Sequence, residues 1–290
     1  MDDLENRFTI LNQCHYVVLD EADTMIKENH EETLNKILDC IPQTNLKSED
    51  ESLAELQEQE CKQGDKLYRI TMMFSATLTP QLEKLARKYL RCPSYISIGE
   101  PGKGKKDIEQ NVELLSGSHK NERLRNLLNQ FKGPILIFVN HKTTTESLCK
   151  SLEKQGYKVG TMHGGKSQTH REKALEFFKN GKYDILIGTN LVARGIDIEG
   201  ITLVINFDAP TSIDDYNHRI GRTGRAGKKG ISYTFLTNKD EDIFFDLKEY
   251  LEANGQSVPS ELSQHPAAKI KRGGKEDNSV PRRKQVLYST

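Results

Sequence analysis

Short runs of β-branched and aliphatic residues alternate with longer helical patterns from one end of the chain to the other, and this alternation limits the fold more than any other feature. A strand, a helix and a strand in succession close most readily as a parallel sheet covered by helices, because parallel neighbours need a crossover connection. The expected class is therefore α/β throughout. In the first third the pattern predicts strands at Tyr16–Leu19, Ile70–Phe74 and Tyr95–Ile98, with helices near Glu31–Cys40 and Gln81–Leu90. That amounts to half a sheet. Residues 43–66 (QTNLKSEDESLAELQEQECKQGDK) are polar, acidic and poor in β-branched residues. They read as an exposed insertion, with room for a short helix, that adds nothing to the core.

Glycine, proline and lysine concentrate in Gly99–Asp107 (GEPGKGKKD), which reads as a hinge between two folding units. The expected organisation is a partial first domain over 1–98, a linker over 99–107, a second domain over 108–258 and a basic polar tail over 259–290. In the second domain, strands are expected at Ile135–Val139, Lys158–Thr161, Asp184–Gly188, Leu203–Asn206 and Ile231–Phe235, with helices beginning near Thr143, Ser167, Ser212 and Asp240. Five strands and their helices make a whole doubly wound domain. The tail is expected to be disordered or to dock on a partner.

Composition excludes few functions here. Lys and Arg number 42 and Asp and Glu number 42, so nucleic-acid binding cannot be read from net charge. No apolar run approaches the roughly 18 residues of a membrane span, and the acidic start MDDLEN lacks the layout of a secretory signal. An intracellular protein with no membrane role is expected. The 5 cysteines (Cys14, Cys40, Cys61, Cys92 and Cys149) are widely spaced and never in C-x-x-C pairs. They read as reduced, mostly buried thiols rather than a disulfide framework or zinc site.

Asp20-Glu21-Ala22-Asp23 directly follows the apolar run HYVVL, which places its carboxylates at the C-terminal edge of a parallel sheet, where such folds hold ligands. One carboxylate there can hold Mg²⁺ while a neighbouring glutamate orients or deprotonates an attacking water. A plain acidic helix N-terminus, stabilised by the macrodipole, would look the same in isolation. Two further strings weigh against that simpler reading. Ser75-Ala76-Thr77 ends another apolar strand, and His218-Arg219-Ile220-Gly221-Arg222-Thr223-Gly224-Arg225 sets three arginines among glycines, where they can reach phosphate oxygens.

These strings, in this order from about Tyr16 to Leu236, resemble the motifs of DEAD-box ATP-dependent RNA helicases. The resemblance implies tandem RecA-like parallel-sheet domains, the first incomplete and the second complete, with ATP and Mg²⁺ as cofactors and RNA as partner. It implies that Asp20 is the Mg²⁺-associated aspartate, acting through water, Glu21 the water-activating glutamate, and Asp23 a link to the second domain. Ser75 and Thr77 match the motif that couples nucleotide state to unwinding, with His218 as the second domain's partner to the first. Arg222 and Arg225 match the γ-phosphate contacts, and Gly195 and Asp197 the nucleotide side of the ARGID segment.

Polar groups at the ends of two further strands, Phe138-Val139-Asn140 and Met162-His163-Gly164-Gly165, can form a groove on one rim of the sheet. Gln168 and Arg171, three residues apart on the following helix, share a face. By resemblance, Asn140, Gly164, Gln168, Arg171, Thr189 and Gly195 face RNA through its sugar and phosphate, with low sequence specificity. Taken without the resemblance, Gln168 and Arg171 could simply make surface hydrogen bonds. The chain departs from the family at Asn190, where an aspartate is common, and a mild effect is expected.

A helicase motor also needs a phosphate cradle, G-x-x-x-x-G-K-[ST]. Gly99–Lys106 matches that pattern until its last position, Lys106, and lies in the hinge, so it reads as a linker coincidence. The chain is thus expected to be a piece of a larger motor, inactive alone; the alternative is a non-enzymatic RNA-binding or regulatory module built on the second domain. Within the family, the insertion and the segments GKGKKDIEQNVEL, KSLEKQGYKVGTMHGGKSQTHRE and ELSQHPAAKIK resemble the pre-mRNA-splicing subfamily. That implies a nuclear, monomeric motor with spliceosomal protein partners.

Overall fold

Ile135–Phe138 reads ILIF and is buried at every position, because its alternate side chains enter two separate cores. It is the centre of the computed structural model's larger sheet. The structure describes residues 10–11, 13–27, 31–41, 48, 50–64, 67–75, 77–90, 93–97, 107–193, 198, 200–224 and 229–271. The chain divides into two compact units, Met1–Gly102 and Lys103–Thr290.

The first unit contains β1 (Tyr16–Leu19), α1 (Ala22–Lys27), α2 (Glu31–Asp39), α3 (Glu51–Gln63), β2 (Ile70–Met73) and α4 (Pro80–Tyr89). β1 and β2 pair in parallel, with Tyr16 opposite Ile70 and Leu19 opposite Met73. Leu19, Leu34, Leu38, Leu82 and Leu85 form the core on one side. On the other side Tyr16, Val18, Ile70, Met72 and Phe74 are exposed. α4 starts where it does because the Thr79 hydroxyl accepts from Leu82 N at 3.2 Å and Pro80 occupies the first turn.

Two expectations for this unit need correction. The strand predicted from Tyr95 is absent over its described part: residues 93–97 lie in no strand, Tyr95 and Ile96 are 63% and 85% exposed, and Ile98 lies outside the described residues. A β-prone run becomes a strand only when it pairs, and none of residues 93–97 pairs with either strand of this sheet. The insertion, in turn, carries the 13-residue α3, capped by Asp50 and ended by Gly64 at φ +81°. Its Ala54 is buried, and Tyr68 Oη donates to Glu60 Oε2 at 2.8 Å, so it does contribute to packing.

The second unit runs β3 (Ile108–Leu114), α5 (Lys120–Gln130), β4 (Ile135–Phe138), α6 (Lys142–Glu153), β5 (Val159–Met162), α7 (Gln168–Lys179), β6 (Ile185–Gly188), α8 (Asn190–Ala193), β7 (Leu203–Asn206), α9 (Ile213–Ile220) and β8 (Gly230–Leu236). A 3₁₀ turn (Asn238–Ile243), α10 (Phe244–Ala253), α11 (Ser260–Gln264) and a last 3₁₀ turn (Pro266–Ala268) follow. The six strands are all parallel, in the order β3-β8-β7-β4-β6-β5. One face packs Ile135, Ile137, Ile185, Ile187 and Ile205 with the leucines of α5 and α6. The opposite face packs Leu136, Phe138, Leu186 and Phe178 near α7, and Tyr216, Ile220, Phe244 and Leu247 near α9 and α10.

The sequence pattern missed β3 and α5. β3 is an edge strand, IEQNVEL, whose alternate positions meet solvent, so polar residues dilute its apolar signal. The predicted tail also starts too early: Leu262, Ala267 and Ala268 are buried in the core beside Phe244 and Leu251. The basic residues from 272 onward lie outside the described residues. Nor are the thiols mostly buried: Cys149 is buried, Cys14 and Cys61 are half-buried and Cys40 is exposed, while Cys92 is outside the described residues.

Candidate functional site

In the first unit, parallel pairing brings two short polar strings to the same sheet edge. Phe74 N donates to Leu19 O at 2.8 Å, and Ala22 N donates to Phe74 O at 3.1 Å, so the chain after β1 is laced to the chain after β2. Asp23, 3% exposed, accepts from Thr77 Oγ1 through Oδ2 at 3.0 Å; its Oδ1 has no partner among the described residues. The Ser75 hydroxyl donates to Thr77 O at 2.7 Å and shapes the same turn. Asp20 is exposed and accepts from Glu21 N at 2.9 Å.

Glu21 sits at φ +49°, a left-handed conformation that costs a non-glycine residue roughly 1–3 kcal/mol. It is held there by α1, since Thr24 N and Met25 N both donate to Glu21 O. An exposed carboxylate at a strand's C-terminal edge, with a second at a helix start, suits a magnesium ion that keeps most of its waters.

The second unit gathers its polar groups at the C-terminal edge of the larger sheet. Asn140 follows β4, Thr189 and Asn190 follow β6, His163–Gly165 follow β5 and Asp208 follows β7. Asn140, His141, Thr189, Asn190, Leu191 and Thr211 line an open cleft of about 400 Å³. Asn140 is fixed by Asp208, whose Oδ2 accepts from Asn140 N at 3.0 Å, and by Ala209 O, which accepts from its amide at 2.9 Å.

The next loop is held by His163, which is buried. Its Nδ1 accepts from Gly165 N at 3.1 Å, so its Nε2 is the protonated nitrogen facing Glu146 Oε1 at 2.9 Å. Lys166 Nζ lies 2.8 Å from the same oxygen. Lys166, and then His163, hold the Glu146 carboxyl below its ordinary pKa. Gly164 is thereby exposed beside the start of α7, where Ser167 caps the helix. On α7, Gln168 donates to Glu172 Oε1 at 2.7 Å, and the half-buried Arg171 has a buried Nε with no partner among the described residues.

Arg219 behaves unlike a phosphate-facing arginine. It is 1% exposed and its guanidinium donates to Asn190 Oδ1 at 2.8 Å, Asp208 O at 2.8 Å and Asn140 Oδ1 at 2.7 Å, over the Phe138 ring. Burial pushes its pKa down to about 10, against the opposing pull of Asp215 and Asp208. The expectation that all three arginines of HRIGRTGR can reach phosphate thus fails for Arg219. The helical spacing Tyr216, Arg219, Ile220 carried that signal, since it sets the arginine on the buried face of α9. Lys120 was missed as well; its ammonium donates to Phe207 O at 2.8 Å and lies 3.7 Å from Asp208 Oδ1. His218 and Arg222 are half-buried on or just after α9, with Arg222 Nε donating to His218 O at 3.2 Å. Gly195, Asp197 and Arg225 lie outside the described residues.

Residues 1–85 match the family model described as DEAD/DEAH box helicase, and residues 119–227 match the helicase conserved C-terminal domain. The chain is 46% identical over 281 residues to the pre-mRNA-splicing ATP-dependent RNA helicase PRP28 of Chaetomium globosum, covering 94% of this chain and 40% of that protein. It is 47% identical over 277 residues to the human probable ATP-dependent RNA helicase DDX23, covering 94% of this chain and 34% of that protein. The crystal structure of Prp28 from Chaetomium thermophilum bound to ADP aligns with 91% of this chain and 58% of its own, at 39% identity and a TM-score of 0.51.

Proposed function

We propose, from the premise that this chain belongs to the DEAD/DEAH-box helicase family, that it forms part of an RNA-stimulated ATPase that opens short RNA duplexes during pre-mRNA splicing. The observation that carries the reading is the meeting of Asp20–Asp23 with Ser75–Thr77 at one sheet edge, joined by the 3.0 Å bond between Thr77 and Asp23. In this reading Asp20 meets a hydrated Mg²⁺, Glu21 orients and deprotonates the attacking water, and Asp23 with Ser75, Thr77 and His218 reports nucleotide state. Arg222 and Arg225 neutralise phosphate charge, and Gly195 and Asp197 face the nucleotide. ATP and Mg²⁺ supply the transferable phosphoryl group and the charge that balances it. Asn140, Gly164, Gln168, Arg171, Thr189 and Gly195 grip the RNA backbone, so the RNA is held with little regard to sequence.

The chain spans 40% and 34% of the two splicing-type relatives compared above, and the two-stranded sheet exposes an apolar face. Both facts support a motor in which a further segment, bearing a phosphate loop, covers that face. The nuclear location, the spliceosomal partners, the monomeric state and the division into a partial domain over 1–98, a linker over 99–107 and a second domain from 108 belong to the same proposal.

The test is ATP hydrolysis with and without RNA, by this chain and by this chain fused behind a phosphate-loop segment from a splicing relative. RNA-dependent turnover by the fusion alone is expected. Glu21→Gln in that fusion should keep nucleotide binding and suppress turnover by about 10²-fold or more; a normal rate would sink its assigned role. A second reading, RNA binding without turnover, is favoured by the second unit's six-stranded sheet and closed cores. It predicts RNA affinity in this chain but no hydrolysis from the fusion.

A further inference from the structure

The polar groups at the cleft edge belong to different crossovers, and nothing in parallel-sheet geometry alone fixes their mutual positions. Asn140 ends the β4 turn, Asn190 opens α8 and Asp208 follows β7; each presents an oxygen to one guanidinium, at 2.7, 2.8 and 2.8 Å. Arginine suits such a junction because its planar fork holds several donors in fixed directions. The same side chain is rooted in α9, between His218 and the turn that carries Arg222.

We infer that Arg219 is a positioning residue that ties the cleft formed by Asn140, Thr189 and Asn190 to the helix bearing His218, so that RNA taken up at the cleft is felt at His218. The inference rests on the reading of the cleft as an RNA site. Two features support it. The acceptors from Asn140 and Asn190 are neutral amides, so the junction holds by geometry and hydrogen bonding rather than by a carboxylate at either place. Asn140 is also held from its other side by Asp208 and Ala209, which makes the cleft edge and the arginine one connected network. An RNA phosphate that shifts Asn140 or Asn190 must therefore shift the guanidinium or break its bonds.

The experiment uses the whole 290-residue chain, a fluorescein-labelled uridine 12-mer and histidine-selective NMR, with His218 assigned by subtraction using His218→Gln. In the unmodified chain RNA should shift the His218 ring resonances. Arg219→Lys keeps the charge but loses the fork, and Arg219→Gln loses both. Each should weaken RNA binding about tenfold through misplacement of the cleft edge, and His218 should stop responding even at saturating RNA. The slope of log affinity against log salt should stay as it was.

If Arg219 instead contacts phosphate, Arg219→Lys will bind nearly normally and Arg219→Gln will flatten the slope by about 0.7, one contact on a single strand. That result overturns the inference, as do folded variants with normal RNA binding and a normal His218 response. Should the Arg219 variants fail to fold, Asn190→Ala, which removes one of the three acceptors, must weaken the His218 response, whereas Asn190→Asp must retain it; the opposite pattern refutes the inference. An unmodified chain that takes up no RNA refutes the RNA reading itself, and this inference with it.

Discussion

Tyr216→Phe removes one oxygen atom from the seat of α9, and the structure sets the size of the effect. The ring is fully buried, and its hydroxyl donates to Gln110 Oε1 at 2.9 Å. Gln110 is 3% exposed, and its amide nitrogen already lacks a partner among the described residues. Burial, reinforced by Tyr250, holds the Tyr216 phenol well above its ordinary pKa, so the hydroxyl keeps its proton across the working range. Deleting it forfeits a hydrogen bond of about 1 kcal/mol and strands a buried carbonyl oxygen at a further 1–2 kcal/mol, for a loss of about 2–3 kcal/mol.

For a unit of this size that lowers Tm by about 5–10 °C, at roughly 2–4 °C per kcal/mol. Gln110→Met preserves volume but removes the 2.9 Å acceptor and leaves the phenol with its Thr234 contact, and should cost about 1–2 kcal/mol. The double variant leaves neither group stranded and should lie within about 1 kcal/mol of the original, because removing both partners is nearly neutral. The chain has 0 tryptophans, so far-ultraviolet circular dichroism and calorimetry are the suitable probes. A Tyr216→Phe shift below about 2 °C, or losses that simply add in the double variant, would refute the reasoning.

Two further outcomes can be checked on the same protein. A Cβ at Gly188 would stand 2.1 Å from Val192 Cγ2 and 2.9 Å from Met162 O, whereas one at Gly164 meets nothing within 4 Å. Gly188→Ala should therefore cost about 1–3 kcal/mol in urea titration and Gly164→Ala within about 0.5; equal effects would contradict the packing. Burial, aided by Glu153 and Glu146, raises the Cys149 thiol from 9.0 to about 11, while Cys40 is exposed. At pH 8 iodoacetamide should label Cys40 and spare Cys149 in the folded chain, as read by peptide mass spectrometry. Since the folded thiol keeps its proton to higher pH than the unfolded one, its contribution to stability is complete below about pH 9 and is lost as pH rises toward 11.

The sequence by itself determined the parallel α/β class, five of the second unit's strands and the family, because these depend on local signals: period, turn residues and short ordered motifs. Helix starts at Ser167 and Ser212 were legible for the same reason, since a cap is a contact between neighbours in sequence. Tertiary structure decided what depends on distant partners. Tyr95–Ile96 has β-prone residues but lies in no strand, and IEQNVEL has a weak pattern but becomes a strand against β8. HRIGRTGR shows three arginines alike; the burial of Arg219 against Asn140 and Asn190, 79 and 29 residues away, sets it apart from Arg222. A guanidinium's role follows from what surrounds it, and only folding brings those surroundings together.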